Sequence, residues 1–436
     1  MSAAAQARRR RDRDDLEIVV FDRGQYTSWS ACGLPYYVGD LIHDANELIA
    51  RTPEEFRASG IDVQLGHEVV AIDMAAGALS VRGPEGERSE PFDQLVIATG
   101  ATPVRPDLPG ALAPGIHGIQ TIADGIDLRR DVDVGRLHAV VVGAGYIGLE
   151  MAEALHRRGL QVRVVERSEQ PMSTLDPDMG ALVADAIRGL GIELHLGVSV
   201  EGFATAADGR VNAVHTSDGE LRADLVVLGL GVRPASRLAE EAGIDVGKSG
   251  GIVTDPRMAT SAVGIWAAGD CTEVFHRVSR RPVAIALGTH ANKQGRVAGV
   301  NATGGDVAFP GVVGTAVTKL CDYEVARTGL TESEAHEAGF RSVAATIEST
   351  TRAGYYPESA PITVKIVAEA GTGRLLGAQV VGREGAAKRI DVLAVAIWNE
   401  MTASEFSGLD LGYAPPFSPV FDPTLVAAHK VAKLAG

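Results

Sequence analysis

The clearest patterning lies near the middle of the chain. Leu137-His-Ala-Val-Val-Val142 is a short, almost unbroken apolar run, as expected of a strand buried on both faces of a parallel sheet. Gly143-Ala-Gly-Tyr-Ile-Gly148 follows, then a helical stretch closing near Gly159, then a second strand from Gln161 to Val165 that ends in Glu166. The sequence predicts a strand-helix-strand unit here. The first residues show part of the same pattern. Met1 to about Arg11 is alanine-rich and helical, Leu16-Glu-Ile-Val-Val-Phe21 reads as a strand, and Asp22 stands at its end. No strand and no glycine loop stands before that first helix. Either residues upstream of Met1 supply them, or the protein lacks that half of the unit.

The glycine run at 143–148 would mean little alone, since a purely structural turn also uses glycine. With a strand on each side and an acid at the second strand's end, it is the fingerprint of dinucleotide binding. Gly143 permits the tight turn, Gly145 lets a pyrophosphate approach the backbone at the helix N-terminus, and Gly148 lets helix and strand pack closely. Glu166 lies 23 residues after Gly143, where a carboxylate can bond the adenosine ribose hydroxyls. A carboxylate there favours NADH, because it repels the extra phosphate of NADPH. The adjacent Arg167 could instead clamp that phosphate, so NADPH stays open.

Length and composition set the class. With 436 residues and 45% hydrophobic content the chain can bury two or three cores, and its 51 glycines fit the tight turns of an α/β protein. A formal net charge of −15 argues against nucleic acid as a partner, since phosphate binding needs a basic surface. The three cysteines, Cys32, Cys271 and Cys321, offer neither a disulfide framework nor a zinc site, and a reducing cytoplasm suits them. No apolar run reaches the roughly 18 residues that span a bilayer. The expectation is a soluble protein with no membrane partner.

Six segments, in this order, carry a resemblance over essentially the whole chain. They are Ser30-Ala-Cys-Gly-Leu-Pro-Tyr-Tyr37, Leu95-Val-Ile-Ala-Thr-Gly100, the fingerprint at 143–148, Gly231-Val-Arg-Pro234, Ala267-Ala-Gly-Asp270 and Tyr413-Ala-Pro-Pro-Phe-Ser418. The chain resembles the pyridine nucleotide-disulfide oxidoreductases, and within them the coenzyme A disulfide reductases, with NADH oxidases and peroxidases as relatives. The resemblance implies two Rossmann-like domains, one for FAD (1–104 and 250–305) and one for NAD (105–249), plus a C-terminal α+β dimerisation domain (308–436) that makes a homodimer. Pro103, Pro106 and Pro109, and the stretch Gly304-Gly-Asp-Val-Ala-Phe-Pro-Gly311, mark breaks near two of those boundaries.

The same resemblance implies roles. Asp22, Arg23, Thr99, Gly100, Gly231, Gly269 and Asp270 would serve the nucleotides, with Asp270 accepting from a ribityl hydroxyl. Taken alone, Asp270 could be an acidic turn cap. Cys32 would be the reactive sulfur over the flavin. The dithiol reductases of the superfamily carry a second cysteine five positions away, whereas Thr27 and Tyr37 occupy those positions here. A single thiolate can still cycle if the substrate supplies the second sulfur, or if peroxide oxidises it to a sulfenate. Its pKa should then be lowered by hydrogen bonds or helix dipoles. Cys271 and Cys321 read as small core residues. Tyr413, with Tyr355 or Tyr356, would reach the partner subunit's site, or else simply pack at the interface. Arg8 and Arg11, three apart and so on one helical face, match positions lining a coenzyme A channel; the plainer reading is a solvated helix end. Ser28 and His290 would also face substrate. The expected activity is NADH-linked reduction of coenzyme A disulfide or a related disulfide or polysulfide, with FAD as cofactor. An NADH oxidase or peroxidase, or a nucleotide-binding pseudo-enzyme without FAD, are the alternatives.

Overall fold

The computed structural model describes residues 1–436. Helix α1 (Ser2–Arg10) leads to strand β1 (Val19–Asp22), then to a short helix α2 (Leu34–Val38), β2 (Asp62–Leu65) and β3 (Leu95–Ile97). The middle of the chain contributes β4 (His138–Val142), α3 (Tyr146–Arg157), β5 (Gln161–Glu166), α4 (Pro177–Gly189), β6 (Glu193–Leu196) and β7 (Leu225–Leu228). Strand β8 (Ile265–Ala267) and helix α5 (Gly288–Ala302) return to the first region.

The middle strands form one five-stranded parallel sheet in the order β6, β5, β4, β7 and Ile116–His117. Its centre is β4, whose Ala139 to Val142 are all buried, which is why this stretch shows no polar alternation. Helix α3 lies against it at close range. A Cβ on Gly148 would stand 2.0 Å from the Gly143 carbonyl oxygen, so only glycine permits this crossing.

The first region is built differently. Strand β1 pairs only with β2 and β3 pairs only with β8, giving two separate parallel pairs. Helix α1 packs on α5 through glycines, since a Cβ on Gly299 would lie 2.3 Å from the Ala3 carbonyl oxygen. The strand expected from Leu16 starts instead at Val19. The Leu16 carbonyl is held by Arg8 Nη2 at 2.6 Å, and pairing begins only where the Ile18 carbonyl accepts from Asp62 N at 2.8 Å.

Residues beyond 315 form an antiparallel five-stranded sheet. Leu375–Gly382, buried along its whole length, is its centre, with Ile390–Trp398 and Pro423–Ala435 packed on it. A buried charge cluster joins this sheet to the middle one. Lys365 Nζ lies 2.6 Å from Glu332, 2.7 Å from Asp178 and 3.2 Å from Asp176, the two aspartates flanking the start of α4. Arg327 donates to the Thr174 carbonyl at 2.6 Å and pairs with Glu334 at 2.6 Å. No helix is long and apolar enough to cross a membrane.

Candidate functional site

Cys32 sits in a single 3-10 turn, Ala31–Gly33, that runs straight into α2. Leu34 and Val38 of α2 are buried in the same core as Leu149 and Ala152 of α3, and this packing sets the turn against the dinucleotide helix. Gly33 fits closely here, since a Cβ would come within 2.3 Å of the Leu48 Cδ2 and push that side chain aside. Arg129 donates to the Tyr37 carbonyl at 2.7 Å and lies over the Tyr37 ring, while Arg158 holds the Val38 carbonyl at 3.0 Å. Tyr37 is therefore a buried anchor, and Cys32 is exposed.

The electrostatics around the sulfur correct one expectation. Burial pushes the Cys32 thiol up, the carboxylates of Glu150 and Asp270 push it the same way, and only its own backbone hydrogen bond works against them. Both charged groups acting on it are acids, so this chain raises the thiol pKa where a lowered one was expected. Glu150, two residues after Gly148 on α3, was not singled out from sequence. Burial raises its own pKa, partly offset by the hydrogen bond it accepts from Thr318 Oγ1 at 3.0 Å. Glu150 also lines a small cleft with Tyr36, Glu153 and Arg157. Its place next to the fingerprint was the available signal.

Asp270 lies at the end of β8, where Gly269 has a left-handed φ of 90° and donates its N–H to Gln294 Oε1 at 2.7 Å. Asp270 Oδ1 is buried with no hydrogen-bond partner, and burial raises its pKa. His290 Nδ1, in the first turn of α5, is a second buried atom without a partner. Such orphaned groups are costly unless something completes them. An acceptor at the strand end fits the hydroxyls of a ribityl chain. Thr99 Oγ1 donates to the Ala235 carbonyl at 2.6 Å, and Gly100 has φ 68°. Asp22 accepts from Gly24 N at 2.8 Å, and Arg23 forms an exposed pair with Glu68 at 3.8 Å. Asp22, Arg23 and Thr99 all line a cavity of about 1350 Å³ that also runs between β1 and β3.

In the middle sheet Gly145 caps α3 with open space beside it, and Gly143 has φ 100°. Glu166 holds this loop through two hydrogen bonds, accepting from Ala144 N and from Ser168 N, both at 2.8 Å. Arg167 is exposed. Gly231 has φ 81° and open space around it.

Arg8 and Arg11 do not share a helical face. Helix α1 ends at Arg10, and Arg11 is an extended cap residue with φ −135°. The Arg8 guanidinium is committed to the carbonyls of Leu16, Gly60 and Arg11, so it braces the entry to β1. Ser28 has a left-handed φ of 53°, and its carbonyl accepts from Ala50 N at 2.8 Å. Tyr355 and Tyr413 are exposed, and the neighbouring Tyr355 raises the Tyr413 phenol pKa. Tyr356 is partly buried, its N–H donating to the Ala353 carbonyl at 2.7 Å. With exposed Phe417, Val420 and Phe421 these tyrosines belong to the C-terminal region, away from the groups that act on Cys32 within one chain.

Residues 1–295 match the pyridine nucleotide-disulphide oxidoreductase family, and residues 315–424 match its dimerisation domain. The NAD(P)H sulfur oxidoreductase (CoA-dependent) of Pyrococcus abyssi is 37% identical over 434 residues, covering 98% of this chain and 95% of that protein. The coenzyme A disulfide reductase of Staphylococcus aureus is 29% identical over 416 residues, covering 94% and 92%. The NAD-dependent persulfide reductase from A. fulgidus has a structure that superimposes with a TM-score of 0.95 at 38% identity, over 98% of this chain and 80% of that one. The chain belongs to the pyridine nucleotide-disulphide oxidoreductase family, in its coenzyme A disulfide reductase-like group of NAD(P)H-dependent flavoprotein oxidoreductases.

Proposed function

We propose that the protein uses NAD(P)H to reduce a low-molecular-weight disulfide or polysulfide, such as coenzyme A disulfide, through Cys32 alone. The observation that carries this is the isolation of an exposed sulfur. Cys271 is buried, its thiol directed at the Ala268 carbonyl at 3.4 Å, Cys321 lies on a turn of the C-terminal sheet, and all three cysteines are free of disulfides. The second sulfur then has to come from the substrate.

FAD, when bound, would supply the electron pair that NAD(P)H delivers as hydride. The Cys32 thiolate attacks one substrate sulfur, forming a Cys32–S–S–R mixed disulfide and releasing one thiolate. Two electrons then cleave that bond, restoring the Cys32 thiolate, and the second thiolate leaves on taking a proton. Asp270 and Asp22 would hold the flavin nucleotide, with Arg23, Thr99, Gly100 and Gly269 shaping its path. Gly143, Gly145 and Gly148 would seat the NADH pyrophosphate at the start of α3, with Gly231 close to the bound dinucleotide and Glu166 on the ribose. Residues 1–104 with 250–305 would form the flavin domain, 105–249 the NADH domain, and 308–436 the dimer contact. Exposed Tyr355, Tyr413, Phe417 and Phe421 suit a homodimer in which a tyrosine of one subunit serves the sulfur of the other. Ser28 and His290 would face the substrate.

The test is a Cys32→Ser protein assayed with coenzyme A disulfide, polysulfide, peroxide and oxygen. Disulfide turnover should disappear while NADH still bleaches the flavin, and Cys271→Ser and Cys321→Ser should keep it. Equal disulfide turnover in the Cys32→Ser protein sinks the single-sulfur mechanism, and faster turnover with oxygen or peroxide than with any disulfide makes the protein an oxidase or peroxidase.

A further inference from the structure

The segment that carries Cys32 is anchored on both sides, and the two anchors lie in different regions. Before the sulfur, Ser30 N donates to the Leu48 carbonyl at 2.8 Å, within the first region. After it, α2 is only five residues long, too short to hold its place by its own hydrogen bonds. The following amides serve its first carbonyls, Gly39 N donating to Pro35 at 2.8 Å and Leu41 N to Tyr36 at 2.9 Å. Carbonyls beyond these are taken by two guanidiniums from the region of the glycine fingerprint. Arg129 Nη1 donates to the Tyr37 carbonyl at 2.7 Å and to the Ile42 carbonyl at 3.0 Å, while its Nη2 pairs with Asp40. Arg158, which caps α3, donates from Nη1 to the Val38 carbonyl at 3.0 Å.

The two arginines form one grip. Asp133, the last residue of helix Ile122–Asp133, bonds Arg158 Nη2 and lies 3.9 Å from Arg129 Nε. Their side chains are 17% and 20% exposed, so withdrawing either leaves sheltered carbonyls short of a donor. Gly39 lets the end of α2 close on α3, since a Cβ there would stand 3.3 Å from the Ala154 Cα. Cys32 lies five residues before Tyr37 on one continuous turn and helix, so whatever shifts the end of α2 shifts the sulfur. The charged groups that act on the thiol are Glu150 and Asp270, and neither arginine is among them. The arginines therefore act on it through place and not through charge.

We propose that Arg129 and Arg158 are positioning residues for Cys32, and that through them the dinucleotide-fingerprint region sets where the sulfur of the first region stands when it meets a disulfide. This rests on the reading of Cys32 as the reactive sulfur. A displaced reacting group loses rate steeply, on the order of 100-fold for about 1 Å. Lysine keeps the charge but lacks the planar fork that spans two carbonyls and a carboxylate, so it does not replace either arginine.

Arg129→Lys and Arg158→Lys, saturated with FAD, are compared with the parent and with Arg130→Lys, whose arginine is exposed and pairs only with Asp127. The readouts are amide hydrogen exchange over residues 31–42, the rate of flavin reduction by NADH, and the thermal midpoint. With prereduced protein, the single-turnover rate, its pH profile and the half-saturating concentration are measured for coenzyme A disulfide and for inorganic polysulfide. In both grip variants exchange should quicken by roughly tenfold and the single-turnover rate should fall by about tenfold or more with either substrate. Flavin reduction, half-saturation and the apparent pKa of the profile should stay at the parent's values, and Arg130→Lys should match the parent throughout. An unchanged single-turnover rate, a fall shared by flavin reduction, or a loss of folding in both variants overturns the proposal. So does a half-saturating concentration raised for coenzyme A disulfide alone, which makes the arginines substrate contacts. The Cys32→Ser protein is run alongside; if it keeps disulfide turnover, the reading of Cys32 fails, and the exchange data still decide whether the arginines hold α2.

Discussion

Replacing Lys365 with Met tests how the dinucleotide sheet is held to the C-terminal sheet. The Lys365 side chain is 5% exposed and its three N–H donors meet three carboxylates, Asp176, Asp178 and Glu332. Removing the cation leaves three acids facing one another at the start of α4. Breaking a buried pair in this way costs about 3–5 kcal/mol. The low end applies, since Asp178 and Glu332 are 46% and 48% exposed and solvent screens them. A loss of about 3 kcal/mol lowers the midpoint of a domain this size by about 10 °C. The pH dependence has a definite sign. Burial alone would raise the Asp178 pKa, but hydrogen bonds from Lys365 and Thr346 lower it below its ordinary 3.8. Its stabilisation is therefore present above pH 3.8 and is lost as pH falls through the lowered folded value. Burial alone would lower the Lys365 pKa, but Asp178 and Glu332 raise it above 10.5, so its share is present below that pH and is lost as pH rises through the raised value. In the Met variant the acids repel one another and protonate more readily, so its deficit should be largest near neutrality and shrink toward acid pH. Differential scanning calorimetry of both proteins across that range is the assay. A midpoint within about 2 °C of the parent at pH 7, or a deficit that grows on acidification, refutes the account of the cluster.

Two further substitutions address cofactor and substrate. The wild type should favour NADH over NADPH by about tenfold in kcat/KM, the scale of one unfavourable charge contact, and Glu166→Gln should bring the ratio near one; steady-state kinetics with both cofactors decide, and an unchanged ratio assigns the choice to Arg167. Arg8→Ala should cost about 1–3 kcal/mol in urea unfolding through the loss of charge-assisted bonds to the Leu16 and Gly60 carbonyls, with the KM for coenzyme A disulfide unmoved; a raised KM at unchanged stability makes Arg8 a substrate contact.

The parts of this molecule that were legible in sequence are those whose causes are local. Strand β4 shows itself because a central parallel strand is buried on both faces, and Gly148 because a helix crosses its own strand within van der Waals contact. Strand β1 was displaced by three residues for a reason that is not local. Arg8 reaches past the helix end to take the Leu16 carbonyl, so pairing waits for Ile18. The same contact commits the Arg8 guanidinium to backbone carbonyls. Tertiary bonding overrode helical spacing in both cases.

The charge environment of Cys32 is the sharper case. Its partner Glu150 lies 118 residues away in sequence, and the two are brought together only because Leu34 and Val38 of α2 bury themselves against α3. A motif can name a reactive sulfur, since the turn Ala31–Gly33 and the following proline are local. It cannot name the charges that tune it, because these are set by how two helices from different regions pack. Within one chain burial pushes the thiol pKa up, and those charges, both acids, push it the same way. The proposed chemistry needs thiolate. Groups beyond this set would ease its ionisation, and in the proposed dimer exposed Tyr355 and Tyr413, on a surface of apolar residues, would be delivered by a second subunit. Under the mechanism proposed above, dimerisation would be part of the chemistry at Cys32, since a hydroxyl donor brought to the sulfur would counter the two carboxylates that its own chain sets against it.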